Sequence, residues 1–451
     1  MDTKKLALLG GTPIENLKKT ELPKALFDWP VYTQEEEDAA LEVMRNNKYS
    51  GIDITEKFEA EFAQWLGAKY AIAYCNGTMS LTAAMFAIGL GEGDEIICPT
   101  KTYWGSVSQA INFGAVPVFC NITDMLTLDP DDLERCISPR TKAIVAVHYI
   151  GYPCDMDKIM SVAKKYNLKV IEDVSHAQGG LYKGKRLGTI GDVGAMSLMS
   201  KKSFAAGELG ALVTNDRVIY ERAMAFGHYD RNNDKYIQQC TDLKDYFHVA
   251  LGGCKGRANQ LCTAIARVQL KYYDQRCAEI RKAQNFFFDL LEELPGIKGI
   301  RADESTGSNS AGFYSAGCAY YPEQLHGLPV SLFVEAVNAE LGETWCWDGL
   351  NFCLHNHKFF KTFDLFSRGT PSRIAFAAKD VREDDHACRP SEEKYCFTVP
   401  WFKQYDETLI RRFASAFEKV VENHMELVEY LEGKKIREQG GKWYGFENQN
   451  I

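Results

Sequence analysis

From about Tyr70 the chain alternates short apolar runs, rich in Val and Ile, with segments of helical length. The runs Tyr70–Tyr74, Glu95–Pro99, Val116–Cys120, Ala143–His148, Leu168–Val174, Val193–Leu198 and Gly210–Thr214 read as strands. Ser80–Ile88, Trp104–Phe113 and Met156–Tyr166 read as the helices between them. This alternation predicts an α/β fold with a mostly parallel sheet and right-handed crossovers. The link between the last two runs is too short for a crossover helix, so an antiparallel pairing is expected there.

Upstream lies an arm punctuated by Pro13, Pro23 and Pro30, then a helix over Thr33–Asn46 whose acidic start suits a helix N-terminus. After about Val268 the pattern changes to a long helix over Gln269–Leu294, a loop rich in Gly and Ser over Gly307–Gly317, and a helical stretch over Glu407–Leu431. Lys434–Ile451 is polar and expected to be disordered. No internal repeat is visible. The reading divides the chain into an N-terminal arm and helix (1–50), a large domain (51–274) and a smaller α+β C-terminal domain (275–451).

A chain of 451 residues exceeds one ordinary core, in keeping with two substantial domains. The net charge of -9 argues against a nucleic-acid binder, which usually carries a basic footprint. The 14 cysteines are scattered without a C-x-x-C pair and read as reduced thiols of a cytoplasmic protein. The apolar stretch Leu6–Leu9 is too brief for a signal peptide, and no apolar run reaches the roughly 18 residues of a membrane span.

Three segments carry chemistry. The first strand runs into Cys75-Asn76-Gly77-Thr78-Met79-Ser80 at a helix start. Gly77 permits close backbone approach, Thr78 offers a hydroxyl, and a helix N-terminus offers N–H groups to a phosphate, although an ordinary helix cap looks the same. Next, Lys169–Asp173 ends in carboxylates at the C-terminal end of a predicted parallel strand, where such sheets bind ligands. Asp173 could hold a protonated ring nitrogen or cap the following segment. Glu172 points to the opposite side, because strand side chains alternate. Last, Lys201-Lys202 follows a short apolar run. A lysine that attacks an aldehyde must be partly deprotonated, which burial favours, but a Lys-Lys pair is also common in solvated turns.

The order of Gly77-Thr78, Tyr103, Asp173 and Lys202 on alternating α/β resembles the DegT/DnrJ/StrS group of fold-type I enzymes that use pyridoxal 5'-phosphate, the sugar and cyclitol aminotransferases. Gly93-Asp94-Glu95, Thr102-Tyr103-Trp104, Gly114-Ala115-Val116-Pro117-Val118-Phe119, Asp155-Met156-Asp157, Ser197–Gly210 and Lys255-Gly256-Arg257 extend the resemblance. It implies a large domain with a mostly parallel sheet and a smaller C-terminal domain. It also implies that Lys202, with Lys201 as fallback, is the Schiff-base lysine and proton shuttle, while Asp173 keeps the pyridine nitrogen protonated. Gly77, Thr78 and Ser197 would bind the phosphate, and Met79 would be a further cofactor-binding residue. Tyr103 would stack on the ring or be a core aromatic. His176 would lie near the phenolic oxygen or be a satisfied core histidine. Lys255 would reach the cofactor of the neighbouring subunit in a homodimer with shared sites, or be a plain surface lysine.

Leu209 stands where the family commonly has Gly, and Ala205 where a hydroxyl residue is common. The implied reaction moves an amino group from L-glutamate or L-glutamine to a nucleotide-linked keto-sugar or a cyclitol ketone. The alternatives are a sugar dehydratase of the same family, disfavoured because those relatives carry His at the lysine position, and a non-catalytic pyridoxal-phosphate-binding regulator. No metal is expected. Cys353-Leu354-His355-Asn356-His357 reads as a pocket-edge loop, and Gly89–Gly93 as a turn before a strand. Neither a nucleic acid nor a membrane is an expected partner.

Overall fold

The computed structural model describes residues 5–441 except 433 and 435. A seven-stranded sheet is formed by β1 (Tyr70–Tyr74), β2 (Glu95–Pro99), β3 (Val116–Cys120), β4 (Thr141–Val147), β5 (Lys169–Asp173), β8 (Val193–Ser197) and β9 (Gly210–Thr214). A two-residue hairpin, β6 (Leu181–Tyr182) and β7 (Lys185–Arg186), lies apart from it. The strand order is β1-β9-β8-β5-β4-β2-β3. Pairings from β3 through β8 are parallel, and β9 runs antiparallel to both β8 and β1. The expected mostly parallel α/β sheet is therefore present, with its antiparallel element at the short link. All strands other than β9 end at the same edge of the sheet.

The strands are apolar because both faces are covered. Ile72, Tyr74, Ala195 and Leu212 pack in one core cluster with helix α3 (Gly77–Ala87) and helix α6 (Arg217–Ala225). Alternate residues Ala71, Ala73, Met196 and Val213 face Phe58, Phe62 and Leu66 of helix α2 (Asp53–Leu66). Val170 and Ile144 lie beside Ile159 of helix α5 (Met156–Tyr166). Helix α1 (Gln34–Arg45) begins where its acidic start predicts, with Thr33 and Glu36 forming a reciprocal capping box.

Trp104–Phe113 departs from the predicted helix. It forms two 3-10 turns, Trp104–Ser106 and Ser108–Phe113, broken at Val107 with φ -145°. The break has local causes: Gln109 Nε2 donates to the carbonyl of Gly105 (2.6 Å), and Ser106 is drawn beneath the end of β5.

After the one-turn α4 (Leu133–Cys136), the long helix α7 (Gln260–Glu292) starts earlier than its apolar period suggests. It packs on α1 and α2 with one half, and on β10 (Ile297–Gly299) and α10 (Glu407–Glu422) with the other. An antiparallel sheet in the order β10-β11-β13-β12 adds β11 (Gly317–Tyr320), β12 (Trp347–Asp348) and β13 (Cys396–Thr398). It shares a core with α8 (Val330–Leu341) and α10. One-turn α9 (Lys358–Lys361) lies between them in sequence. The predicted helix Glu407–Leu431 is interrupted at Asn423, after which α11 (His424–Leu431) begins. Described residues of the polar tail are fixed: Tyr395 donates to Glu438 (2.8 Å) and Gln439 donates to the carbonyl of Cys396 (3.2 Å). The tail beyond 441 lies outside the described residues. Among them, no helix is long and apolar enough to cross a membrane.

Candidate active site

A cavity of about 320 Å³ opens at the edge where the parallel strands end. Strand after strand delivers a residue to it: Gly77 and Thr78 after β1, Thr102 and Tyr103 after β2, Val147 from β4, Asp173 from β5 and Ser197 from β8. This is where open α/β sheets place ligands.

Gly77 is the first residue of α3. A Cβ there would meet Cβ of Ser197 at 2.6 Å, so only glycine lets the helix end sit against β8. Asn76 caps the helix by accepting the N–H of Met79 at 2.8 Å. That leaves the amides of Gly77 and Thr78 at the cavity, with the positive end of the helix behind them. The turn is thus a helix cap, and the same geometry leaves two amides free to face an anion in the cavity.

Asp173 is 4% exposed. Its Oδ2 accepts the hydroxyl of Ser106 at 2.7 Å and its Oδ1 the N–H of Ser175 at 3.1 Å, which fixes the carboxylate plane. Glu172 faces away, as alternation requires. It accepts N–H groups of Gly188, Ile190 and Gly191 at 2.7–2.8 Å and pairs with His148 at 3.1 Å.

Lys201 and Lys202 have opposite environments: Lys201 is exposed and Lys202 is 8% exposed inside the cavity. Burial lowers the Lys202 amine to about 8, against the opposing pull of the Asp173 charge. Its Nζ lies 4.1 Å from the centroid of the Tyr314 ring. His176 accepts the N–H of Ile150 on Nδ1 (3.2 Å), which puts its proton on Nε2. Burial, then the Lys202 charge, holds this imidazole well below its ordinary range, so it is neutral. Tyr103 lines the cavity with its ring beside Trp104, centroids 4.7 Å apart. The Ser197 hydroxyl accepts the N–H of Met199 (3.3 Å), and its carbonyl accepts Gln178 Nε2 (2.6 Å).

Two of the residues singled out in the sequence lie elsewhere. Met79 packs its side chain towards Gly256 and the thiol of Cys254, and its amide is taken by Asn76. Lys255 is exposed, with Nζ 5.2 Å from the centroid of the Tyr229 ring. Neither lines the cavity. Ala205 and Leu209, the departures near the lysine, are fully buried and also do not line it. His355 is engaged by Thr100 (2.6 Å) and Glu392 (2.8 Å), while His357 caps α9.

Ser106, Ser175, Glu208, Tyr314 and Asn351 also line the cavity, and none of them was expected there as a site residue. Ser106 and Ser175 follow strand ends closely, a usable signal. Tyr314 and Asn351 come from remote segments with no motif around them. Asn351 is held by the Tyr149 hydroxyl, which donates to its Oδ1 at 2.5 Å. The arrangement suits a flat, anionic, carbonyl-bearing molecule: amides for the anion, an aromatic wall, a fixed carboxylate for a protonated ring nitrogen and a buried amine for the carbonyl.

The profile of the DegT/DnrJ/EryC1/StrS aminotransferase family matches residues 30–326. A Streptomyces kanamyceticus protein named L-glutamine:2-deoxy-scyllo-inosose aminotransferase is 31% identical over 357 residues, 76% of this chain and 80% of that protein. GDP-perosamine synthase of Escherichia coli O157:H7 is 37% identical over 240 residues, 53% of this chain and 63% of that protein. The X-ray structure of an aminotransferase from Psychrobacter cryohalolentis superposes with a TM-score of 0.73 at 25% identity, covering 89% of this chain and all of that one.

Proposed function

The chain belongs to the DegT/DnrJ/EryC1/StrS aminotransferase family, and from that premise we propose that it moves an amino group from L-glutamate or L-glutamine to a ketone of a nucleotide-linked keto-sugar or a cyclitol, using pyridoxal 5'-phosphate. One observation carries the reading: a buried lysine amine and a hydrogen-bonded aspartate share one cavity with a helix N-terminus. The names of the two relatives, one for L-glutamine and an inosose and one for a GDP-linked amino sugar, support the two acceptor classes.

Bound in this cavity, pyridoxal phosphate would supply an electrophilic aldehyde and a ring that withdraws electrons from the carbon bearing the amine. The amides of Gly77 and Thr78 and the hydroxyl of Ser197 would bind the phosphate. Asp173, oriented by Ser106 and Ser175, would hold a protonated ring nitrogen. Tyr103 would lie along the ring, and His176 would offer its Nε2 proton to the phenolic oxygen. Lys202 would hold the aldehyde carbon and, once freed by the amino donor, its amine would carry a proton between the donor's α-carbon and the former aldehyde carbon. Lys255, exposed beside Tyr229 and Arg257, would reach the phosphate site of a second subunit in a homodimer. The enzyme works in the cytoplasm.

Borohydride reduction of the loaded protein followed by peptide mapping tests this. A pyridoxyl group on Lys202, and conversion of glutamate to 2-oxoglutarate with loss of the cofactor's absorbance band, are expected. A label elsewhere, or a band unchanged by every amino donor, refutes the assignment.

A further inference from the structure

The ring of Tyr314 lies close to two groups of the cavity. One is the imidazole of His176, centroids 4.2 Å apart and planes 30° apart. The other is Nζ of Lys202, 4.1 Å from the ring centroid. This is well inside the roughly 6 Å at which a ring face attracts a cation.

The backbone around Tyr314 is held in a costly conformation. Ala311, Phe313 and Ser315 have φ of 49°, 58° and 49°, the left-handed region that side chains other than glycine's rarely enter. Such strain persists only where the surroundings over-determine it, and it gathers at functional sites. Here the determinants are visible. Asn309 Oδ1 accepts the N–H of Ala311 (3.1 Å), Ser310 Oγ accepts that of Ala302 (3.1 Å), and the carbonyl of Gly312 accepts Trp401 Nε1 (3.0 Å). Gly312 has no room for a Cβ, which would lie 2.9 Å from Cβ of Ser203. The strained loop is thus docked against the residue that follows Lys202. From the other side, Trp29 Nε1 donates to the carbonyl of Lys202 at 2.9 Å.

We propose that Tyr314 is a positioning residue for Lys202: its ring face seats Nζ whenever that atom carries a proton and keeps it in place between proton transfers. The proposal rests on the lysine role given above. A protonated amine buried here has little exposure to solvent, and the nearby carboxylate, Asp173, is already shared with Ser106 and Ser175. The negative face of a ring replaces part of that hydration without forming a bond that must be broken to release the proton. The other titratable groups lining the cavity are His176, Glu208 and Tyr103.

The test is made first on cofactor-free protein, by pulse acylation of Lys202 at a series of pH values with peptide mass spectrometry. The wild-type midpoint is expected near pH 8. Tyr314→Leu and Tyr314→Met, which remove the face, should lower the midpoint by about 0.5–1 pH unit because the charged form loses support. Tyr314→Phe, which keeps the face, should titrate like wild type. In the loaded enzyme, the half-reaction with L-glutamate should slow about tenfold or more in the Leu and Met variants, with half-saturation shifted less than about twofold. A midpoint unmoved in both the Leu and Met variants overturns the proposal. So does a midpoint lowered equally in the Phe variant, since the hydroxyl would then be the acting group. Absence of a pyridoxyl label on wild-type Lys202 would instead defeat the functional assignment, and the cofactor-free titration would still report on Tyr314.

Discussion

Replacing Gly77 by Ala tests the close approach of a helix end to a strand end on which the anion cradle depends. The added Cβ would lie 2.6 Å from Cβ, 2.7 Å from Cα and 2.8 Å from N of Ser197. Two of these are backbone atoms, so no rotamer change relieves the clash. To regain ordinary contact at 3.4 Å, the start of α3 must withdraw by about 0.8 Å. Overpacking of this kind costs about 1–3 kcal/mol, offset in part by the better helix propensity of Ala, so the fold should survive. The cradle should suffer more. A hydrogen bond to a charged group contributes about 1.5–3 kcal/mol, and a shift approaching 1 Å removes much of it from the amides of Gly77 and Thr78. The expected loss of pyridoxal-phosphate affinity is about 10- to 100-fold. Titration of cofactor-free protein, followed by tryptophan fluorescence, measures it. Gly91→Ala is the control, because its nearest neighbour is Asp94 Oδ2 at 3.9 Å. Binding by Gly77→Ala within twofold of wild type, with the fold intact, would refute the reasoning.

Burial holds the Lys202 amine at about 8, so its reactive free base grows as pH rises through that value. At pH 7 roughly a tenth is uncharged, against less than about a thousandth for an ordinary lysine, so pyridoxal and borohydride should mark Lys202 well over tenfold more than exposed Lys201; equal labelling contradicts this. Arg231 makes two 2.7 Å bonds to Glu59, which also accepts the N–H of Ala73, all buried. Arg231→Met should cost about 3–5 kcal/mol in chemical denaturation by stranding the carboxylate, and Glu59→Gln in the same chain should recover part of it. Glu340 accepts the N–H groups of Ala7 (2.7 Å) and Ile14 (2.9 Å) and the amine of Lys419 (2.9 Å), fastening the N-terminal arm. Glu340→Ala should free the arm and speed tryptic cleavage after Lys18 or Lys19 at least about tenfold, and an unchanged digestion rate would show that the arm is held by other contacts.

The strands were legible because each is a compact apolar run closed off by polar or turn residues, and burial on both faces leaves little ambiguity about such a run. Tyr70–Tyr74, Glu95–Pro99, Val116–Cys120 and Gly210–Thr214 begin and end where the pattern does. Elements decided by tertiary contact were not. Trp104–Phe113 has helical length, yet the pull of Asp173 on Ser106 and of Gly105 on Gln109 divides it into tight turns. Helix α2 hides its buried Phe58, Phe62 and Leu66 among Glu56, Glu59 and Glu61, and Glu59 itself is buried because Arg231 comes to meet it. Strands β10 to β13, of two to four residues, are too short to show any period.

The same distinction governs the site. Gly77, Thr78, Tyr103, Asp173, His176, Ser197 and Lys202 sit at or just beyond strand ends, and strand ends are what the pattern locates. The choice between Lys201 and Lys202 is of a different kind, because adjacent side chains share a local sequence. What separates them is burial, and that burial is assembled from far along the chain. Tyr314 covers the Lys202 amine, Gly312 closes on Ser203, and Trp29 holds the Lys202 carbonyl from the N-terminal arm. An amine becomes a nucleophile near neutral pH only once those segments have removed its water. Lys202 therefore acquires its chemistry from packing, and any substitution that loosens the Trp29 or Gly312 contact should return it towards the behaviour of its exposed neighbour.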